Sequence, residues 1–251
     1  MIMRSPTAAD VVRVWELGCE RASWYRGLLL LAPGYPERSF RQLAALTIGQ
    51  RNIALFALRE RLFGPEVSAV VACPQCGRRS EFAAQVGELC PHQPAADGAA
   101  PPAQAFGLAI SGMQLRCRQL TSDDIARVPA ANLGIAANHG LAQRAILEAH
   151  SDGAAIAAQA LAEPVLRAVG EAVVDNDPMS ELMIAVDCAD CGHAWSAPFD
   201  PVTYLWTEIA GAAQRLLHDV HRLAGAYGWR EPDILSMSAV RRKFYIEKTL
   251  Q

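Results

Sequence analysis

The sequence has no excess of positive charge. Its 251 residues carry a formal net charge of −3, which argues against a surface dedicated to nucleic acid or to a membrane. Long hydrophobic runs are also missing. The longest purely aliphatic stretch, residues 28–32, falls far short of the ~20 residues that cross a bilayer. Residues 1–10 lack the apolar segment that a secretory signal carries. There is no Gly-rich phosphate loop, no pair of catalytic carboxylates and no Gly-x-Ser-x-Gly elbow, so the common enzyme signatures are absent. Lysine is scarce, since nearly all the basic residues are Arg, and Ala is abundant. That bias reflects genomic composition rather than function.

Half of the chain is apolar and 20% is charged, as expected for a globular protein with one large domain or two small ones. Seven cysteines are present. The number is odd, and four of them form two CxxC pairs. Without an export signal, that pattern points to metal binding rather than to a disulfide framework. A cytoplasmic location is expected.

Thr7 and Asp10 form a capping box that opens a helix expected to run to about Ala32. A short helix is predicted over residues 37–46. Thr47 and Gln50 form a second box, followed by Leu55, Leu58 and Leu62 at helical spacing, and Gly64-Pro65 ends the run. Residues 1–65 thus form an N-terminal helical unit. The period then changes to two. Val67, Ala69, Val71 and Cys73 alternate, the chain turns at Cys73-Pro-Gln-Cys76-Gly77, and Phe82, Ala84 and Val86 alternate on the return. Residues 66–90 are therefore a hairpin with a knuckle at its tip. Residues 91–107, rich in Pro, Ala and Gly, are expected to be a flexible loop. Residues 108–178 form a mixed insert, with strand-like pieces around Gly112 and then an Ala-rich helical stretch from Thr121 to about Val174, broken at Pro129, Gly140, Gly153 and Pro164.

The hairpin pattern recurs in residues 179–200. Leu182, Ile184, Val186 and Cys188 alternate, Cys188-Ala-Asp-Cys191-Gly192 turns, and His193, Trp195, Ala197 and Phe199 alternate on the way back. In residues 201–251, Asp200 and Pro201 open a long helix whose stripe is Leu205, Ile209, Ala212, Leu216, Val220, Leu223 and Tyr227. Gly228 closes it, and Ser238 caps a last helix with Val240, Phe244 and Tyr245.

Zinc takes four donors at the corners of a tetrahedron. Two thiolates two residues apart can share one ion, and a following glycine lets the chain curl. Both knuckles have that glycine, Gly77 and Gly192. The expected site is one structural zinc per chain held by Cys73, Cys76, Cys188 and Cys191. Closing the flexible segment between the knuckles costs roughly 4 kcal/mol by the logarithmic law. Structural zinc contributes about 10–16 kcal/mol in peptides, so the metal wins.

Other readings stand beside this one. A redox CxxC belongs at a helix N-terminus, whereas each pair here lies between strands. A catalytic zinc keeps an open position and a nearby base. His193 can replace a thiolate, but its place on the return strand suits packing better. Cys90-Pro-His92 is a fallback ligand pair. Cys19 and Cys117 are expected to be small buried hydrophobes. His218, Asp219 and His221 read as a solvated helix face. The terminal segment concentrates Tyr227, Trp229, Ile234, Leu235, Met237, Phe244 and Tyr245. Either it seals the core, or Trp229, Arg241 and Arg242 form a docking surface for a partner.

Three blocks of sequence together resemble a known family. The first runs from Leu46-Thr-Ile-Gly-Gln-Arg-Asn52 through Leu58-Arg59 and Phe63-Gly64 to Cys73-Pro-Gln-Cys76-Gly77. The second is Cys188-Ala-Asp-Cys191-Gly192-His193-Ala-Trp195 with Phe199-Asp200 and Leu205-Trp206. The third is Tyr227-Gly-Trp229-Arg-Glu231-Pro-Asp233-Ile-Leu235 with Arg241-Arg242 and Tyr245. They are similar to T4-type baseplate hub assembly chaperones and baseplate proteins of phages and contractile injection systems, over residues 20–90 and 175–250. The resemblance implies other baseplate or hub subunits as partners, a cytoplasmic location during assembly, a place in an assembled phage-like particle, and no small-molecule substrate. The expected fold is α+β, a split four-cysteine zinc ribbon of two β-hairpin knuckles surrounded by α-helices, without enzymatic activity. A zinc-ribbon nucleic-acid-binding or regulatory module is the alternative, disfavoured by the absence of a basic stripe.

Overall fold

The chain was analysed as a computed structural model, which describes residues 3–91, 103–128 and 135–249. It is a mixed helix-and-sheet protein. The N-terminal helices are α1 (Ala8–Gly18), α2 (Ser23–Leu31), α3 (Phe40–Ala44) and α4 (Ile48–Phe63). Thr7, Ser39 and Thr47 each accept a hydrogen bond from the backbone N–H three residues on, and Asp10, Gln42 and Gln50 reach back, so all three helices start in capping boxes. The helix expected to reach Ala32 is in fact two, with a corner at residues 19–22. Gly18 lies against the Trp206 ring, where a Cβ would not fit. Arg26 donates to the carbonyls of Gly18 at 2.9 Å and Cys19 at 2.6 Å, which satisfies the end of α1 and lets the chain turn. Cys19, expected inside, is exposed at this corner.

The first hairpin pairs β1 (Glu66–Ala72) with β2 (Arg79–Gln85) antiparallel, and the turn α5 (Val86–Leu89) follows. The insert contains β3 (Ala105–Ile110), β4 (Met113–Arg118), α6 (Ser122–Ala126), α7 (Ile135–Ala145), β5 (Ile146–Ser151), β6 (Ala154–Ala155) and α8 (Glu163–Asn176). The four strands make one sheet in sequence order. The stretch expected to be helical with breaks therefore contains two strands at 146–155, with the expected break at Gly153 falling between them. Alanine favours helix locally, but β5 pairs along β4 and buries Ala149 beside Leu115 and Cys117, under Val165, Leu166, Val169 and Val173 of α8. Tertiary pairing overrides local propensity here. Gly140 lies inside α7, and Pro164 opens α8 rather than breaking it. Of the loop expected over 91–107, residues 92–102 lie outside the described residues, and the chain is already a strand from Ala105.

The second hairpin pairs β7 (Met183–Asp187) with β8 (Ala194–Pro198). Then come α9 (Pro201–Tyr227), α10 (Glu231–Ser236) and α11 (Ala239–Lys248). Asp200 accepts from the N–H groups of Val202 at 3.0 Å and Thr203 at 3.3 Å, fixing the start of α9. With 27 residues, α9 is a rod about 40 Å long. Its stripe of Leu205, Ile209, Ala213, Leu216, Val220 and Leu223 is buried, and α1, α2, α4, α10 and α11 pack around it. Arg59 of α4 meets Glu208 of α9 at 2.9 Å. No helix among the described residues is long and apolar enough to cross a membrane.

The insert is tied to the start of α4. Ile48 N–H donates to the Leu120 carbonyl at 2.9 Å, the Asn52 amide donates to the Met179 carbonyl at 2.8 Å, and Gly49 N–H donates to the Asp177 carboxylate at 2.9 Å. Asp177 is buried, and burial raises its pKa above the usual carboxylate value against the opposing hydrogen bonds from Gly49 and Thr47.

Candidate metal centre

The two knuckles repeat each other bond for bond. In the first, Gly77 N–H donates to the Cys73 carbonyl at 2.9 Å and Cys73 N–H to the Arg78 carbonyl at 2.8 Å. In the second, Gly192 N–H donates to the Cys188 carbonyl at 2.9 Å and Cys188 N–H to the His193 carbonyl at 2.9 Å. Gly77 and Gly192 have φ of 73° and 70°, in the left-handed region that glycine enters without steric cost. The turn aims backbone N–H groups at sulfur. Arg78 serves Cys76, Asp190 and Cys191 serve Cys188, and His193 serves Cys191.

The hairpins bring their tips together. Cys73 Sγ is 3.8 Å from Cys191 Sγ, and Cys76 Sγ is 3.6 Å from Cys188 Sγ. All four Sγ atoms lie within 4.8 Å of one another, a cluster able to hold a metal ion. Corners of an ideal four-sulfur zinc tetrahedron are about 3.8 Å apart, from bonds of ~2.3 Å, so the cross-hairpin spacings match that edge. Cys73 and Cys188 are buried, and Cys76 and Cys191 face solvent. Below the sulfurs, Ile184, Val186 and Ala197 share a small apolar core with Val71, Phe82 and Phe199. Phe199 stacks on Phe56 of α4 with centroids 6.0 Å apart, and the Tyr204 hydroxyl bonds both backbone groups of Ser68. The centre thus rests on the helical body through both hairpins.

Protons are shared unequally in the cluster. The N–H groups of Cys191 and Asp190 draw the Cys188 thiol down to about 6. At Cys191 the His193 N–H also pulls downward, but burial and hydrogen bonds with Cys188, Cys76 and Cys73 outweigh it and push the thiol up to about 12. Cys76 is likewise raised, because burial and its contacts with Cys188 and Cys73 outweigh the Arg78 N–H. A divalent cation takes the place of these protons when thiolates bind it.

The remaining candidates fall elsewhere. The His193 ring stacks on Trp195, with centroids 5.9 Å apart, and serves packing beside the knuckle. Cys90 is buried in the apolar cluster with Phe56 and Val67, and its proposed companion His92 lies outside the described residues. Cys117 is buried under α8 as expected. His218 and His221 are exposed. Trp229 is half-buried, stacked on Tyr227 at 4.6 Å and edge-on to Tyr245 at 4.8 Å. Arg242 is only 8% exposed and turns inward, meeting Asp219 at 3.1 Å. It holds α11 on α9 and is not available to a partner. Arg241 remains on the surface, over the Tyr245 ring at 5.8 Å. The Asp177–Gly49 junction joins two residues that no local motif marks.

Comparison with known protein families, with curated proteins and with solved structures finds no match for this chain.

Proposed function

We propose that the chain is a non-enzymatic structural protein whose two knuckles form a split zinc ribbon around one zinc ion. The observation that carries this is the closure of the cluster. Four cysteine sulfurs from two hairpins gather within 4.8 Å of one another, enough donors to fill a zinc tetrahedron; zinc sites of that kind fix geometry, whereas catalytic sites keep a corner for water or substrate. Zinc joins residues 66–90 to residues 179–200, so the helical unit, the insert and α9 are held in one arrangement.

We further propose that this frame serves as a baseplate component or baseplate hub assembly chaperone of a phage tail-like contractile system. It acts in the cytoplasm during assembly, and other baseplate or hub subunits are its partners. Support comes from the three resembling blocks, which lie far apart in sequence yet pack together. The first supplies α4, the second the start of α9, and the third the α10–α11 cap on the far end of α9. The test is affinity capture of the tagged chain from cells assembling such particles, with subunit analysis of the captured complex and of the purified particle. A baseplate or hub subunit should be captured in fixed proportion to the chain. Capture of the chain alone, with none of it in particles or their intermediates, would overturn this reading and leave the zinc centre untouched.

A further inference from the structure

Among the described residues, two amphipathic faces are left uncovered, and they carry opposite charge. The first is the outer face of α11. Val240 is 82% exposed and Phe244 is 54% exposed, one helical turn apart. Arg241, Lys243 and Lys248 surround them, and Glu247 is the helix's single acid. The Lys248 ammonium lies 5.8 Å from the Phe244 ring centroid, so cation and ring form one surface. Arg242 points the other way and anchors the helix.

The second face is a groove of about 780 Å³ between α7 and α8. Leu141 and Leu166 are among its apolar lining, and Glu163, Glu171, Asp175 and Glu181 stand around it against a single Arg167. None of the four carboxylates forms an ion pair with a described residue. Like charges gathered on an apolar floor attract a cationic, apolar occupant.

We propose that the outer face of α11 in one molecule seats in the α7–α8 groove of a second copy of this chain. Within one molecule the two cannot serve each other, because α11 packs on α9 and leaves Val240 in solvent. α11 has 10 residues and spans about 15 Å, no longer than α7, which has 11 residues and forms one wall of the groove. Charge also selects this groove. A second apolar hollow among the described residues, beside Leu17 and Phe40, is lined by Arg13 and Arg21, while its one acid, Asp10, is already paired with Arg4, so it disfavours a basic helix. The contact pairs two different patches, so it either closes as a reciprocal pair, each helix in the other molecule's groove, or repeats into a ring or an open chain.

The test is sedimentation velocity of the full metal-loaded chain. Wild-type protein should form species heavier than a monomer as concentration rises over about 1–200 µM, the range that reads micromolar contacts. Raising the salt should weaken them at least about tenfold, because the matched charges are screened. Val240→Asp/Phe244→Asp removes the helix face, and Glu171→Lys/Glu181→Lys inverts the groove; each alone should stay monomeric. Mixed in equal amounts they should give a two-chain complex, since one retains the groove and the other the helix. Metal content and melting temperature of both variants confirm that these exposed changes leave the fold intact; Lys243→Glu and Glu163→Lys replace either one that unfolds. A wild-type chain that is monomeric throughout, variants that associate like wild type, or a mixture that stays monomeric would each overturn the proposal.

Discussion

Replacing Cys73 and Cys188 together by serine is expected to abolish the proposed metal binding and to melt the paired hairpins. Each knuckle keeps one thiolate, and two thiolates on separate hairpins cannot close a tetrahedron. The lost binding energy is large, since structural zinc contributes about 10–16 kcal/mol in small peptides. The apolar cluster beneath the sulfurs is small: among the described residues it buries Ile184, Val186 and Ala197, with Val71, Phe82 and Phe199 partly buried against them. Each two-stranded hairpin is marginal alone. The helical body should survive, because its core of Leu28, Leu31, Leu55, Leu205 and Leu223 does not touch the centre. Calorimetry should show the first transition fall by more than about 10 °C, at about 2–4 °C per kcal/mol for a chain of this size. Far-UV circular dichroism should retain most of the helical signal. Full metal retention would sink the shared site.

Gly49→Ala is expected to cost about 2–4 kcal/mol by equilibrium denaturation, because the penalty of an unsatisfied buried charge adds to the overlap. A Cβ at this position overlaps the Asp177 carboxylate, which is flexible only by withdrawing from the buried seat it occupies. Withdrawal breaks the Gly49 N–H bond at 2.9 Å and loosens the insert from α4. Asp177→Asn is the control. Its amide oxygen still accepts from Gly49 but carries no charge, so stability at pH 7 should stay within about 1 kcal/mol of wild type. The pH dependence has a definite sign. The folded pKa of Asp177 is raised above 3.8 by burial. Its contribution is therefore fully present below the unfolded value and is lost as pH rises through the folded one. Asp124 behaves oppositely. Although burial acts to raise it, the Arg118 guanidinium and the Thr121 backbone hold it below the usual range, so its contribution is lost in acid. Relative to wild type, Asp177→Asn should gain stability with rising pH just above the ordinary carboxylate range. A flat difference across that range would contradict the assigned burial.

What could be read in the sequence is what depends on near neighbours. The knuckles are local: two cysteines, a glycine and alternating flanks are enough to mark a turn that presents sulfur. Thr47 with Gln50 marks the start of α4 for the same reason. Harder to read were features set by distant partners. β5 is Ala-poor in its first residues but lies within an Ala-rich stretch, and pairing with β4 and β6 makes it a strand. The corner after α1 is held by Arg26, which bonds the Gly18 and Cys19 carbonyls, and by Trp206 of α9 packed against Gly18. Arg242 reads in the sequence as part of a docking surface with Trp229 and Arg241, yet Asp219, 23 residues earlier, draws it inward. The Asp177–Gly49 contact spans 128 residues, and nothing local to either residue announces it.

X-ray absorption at the zinc K-edge on the purified chain, with metal content measured on the same sample, tests the central claim most directly. The account predicts one zinc per chain and a first shell of four sulfurs at ~2.3 Å. A shell containing nitrogen or oxygen, or a chain that folds fully with no metal and with Cys73, Cys76, Cys188 and Cys191 as free thiols, would contradict it.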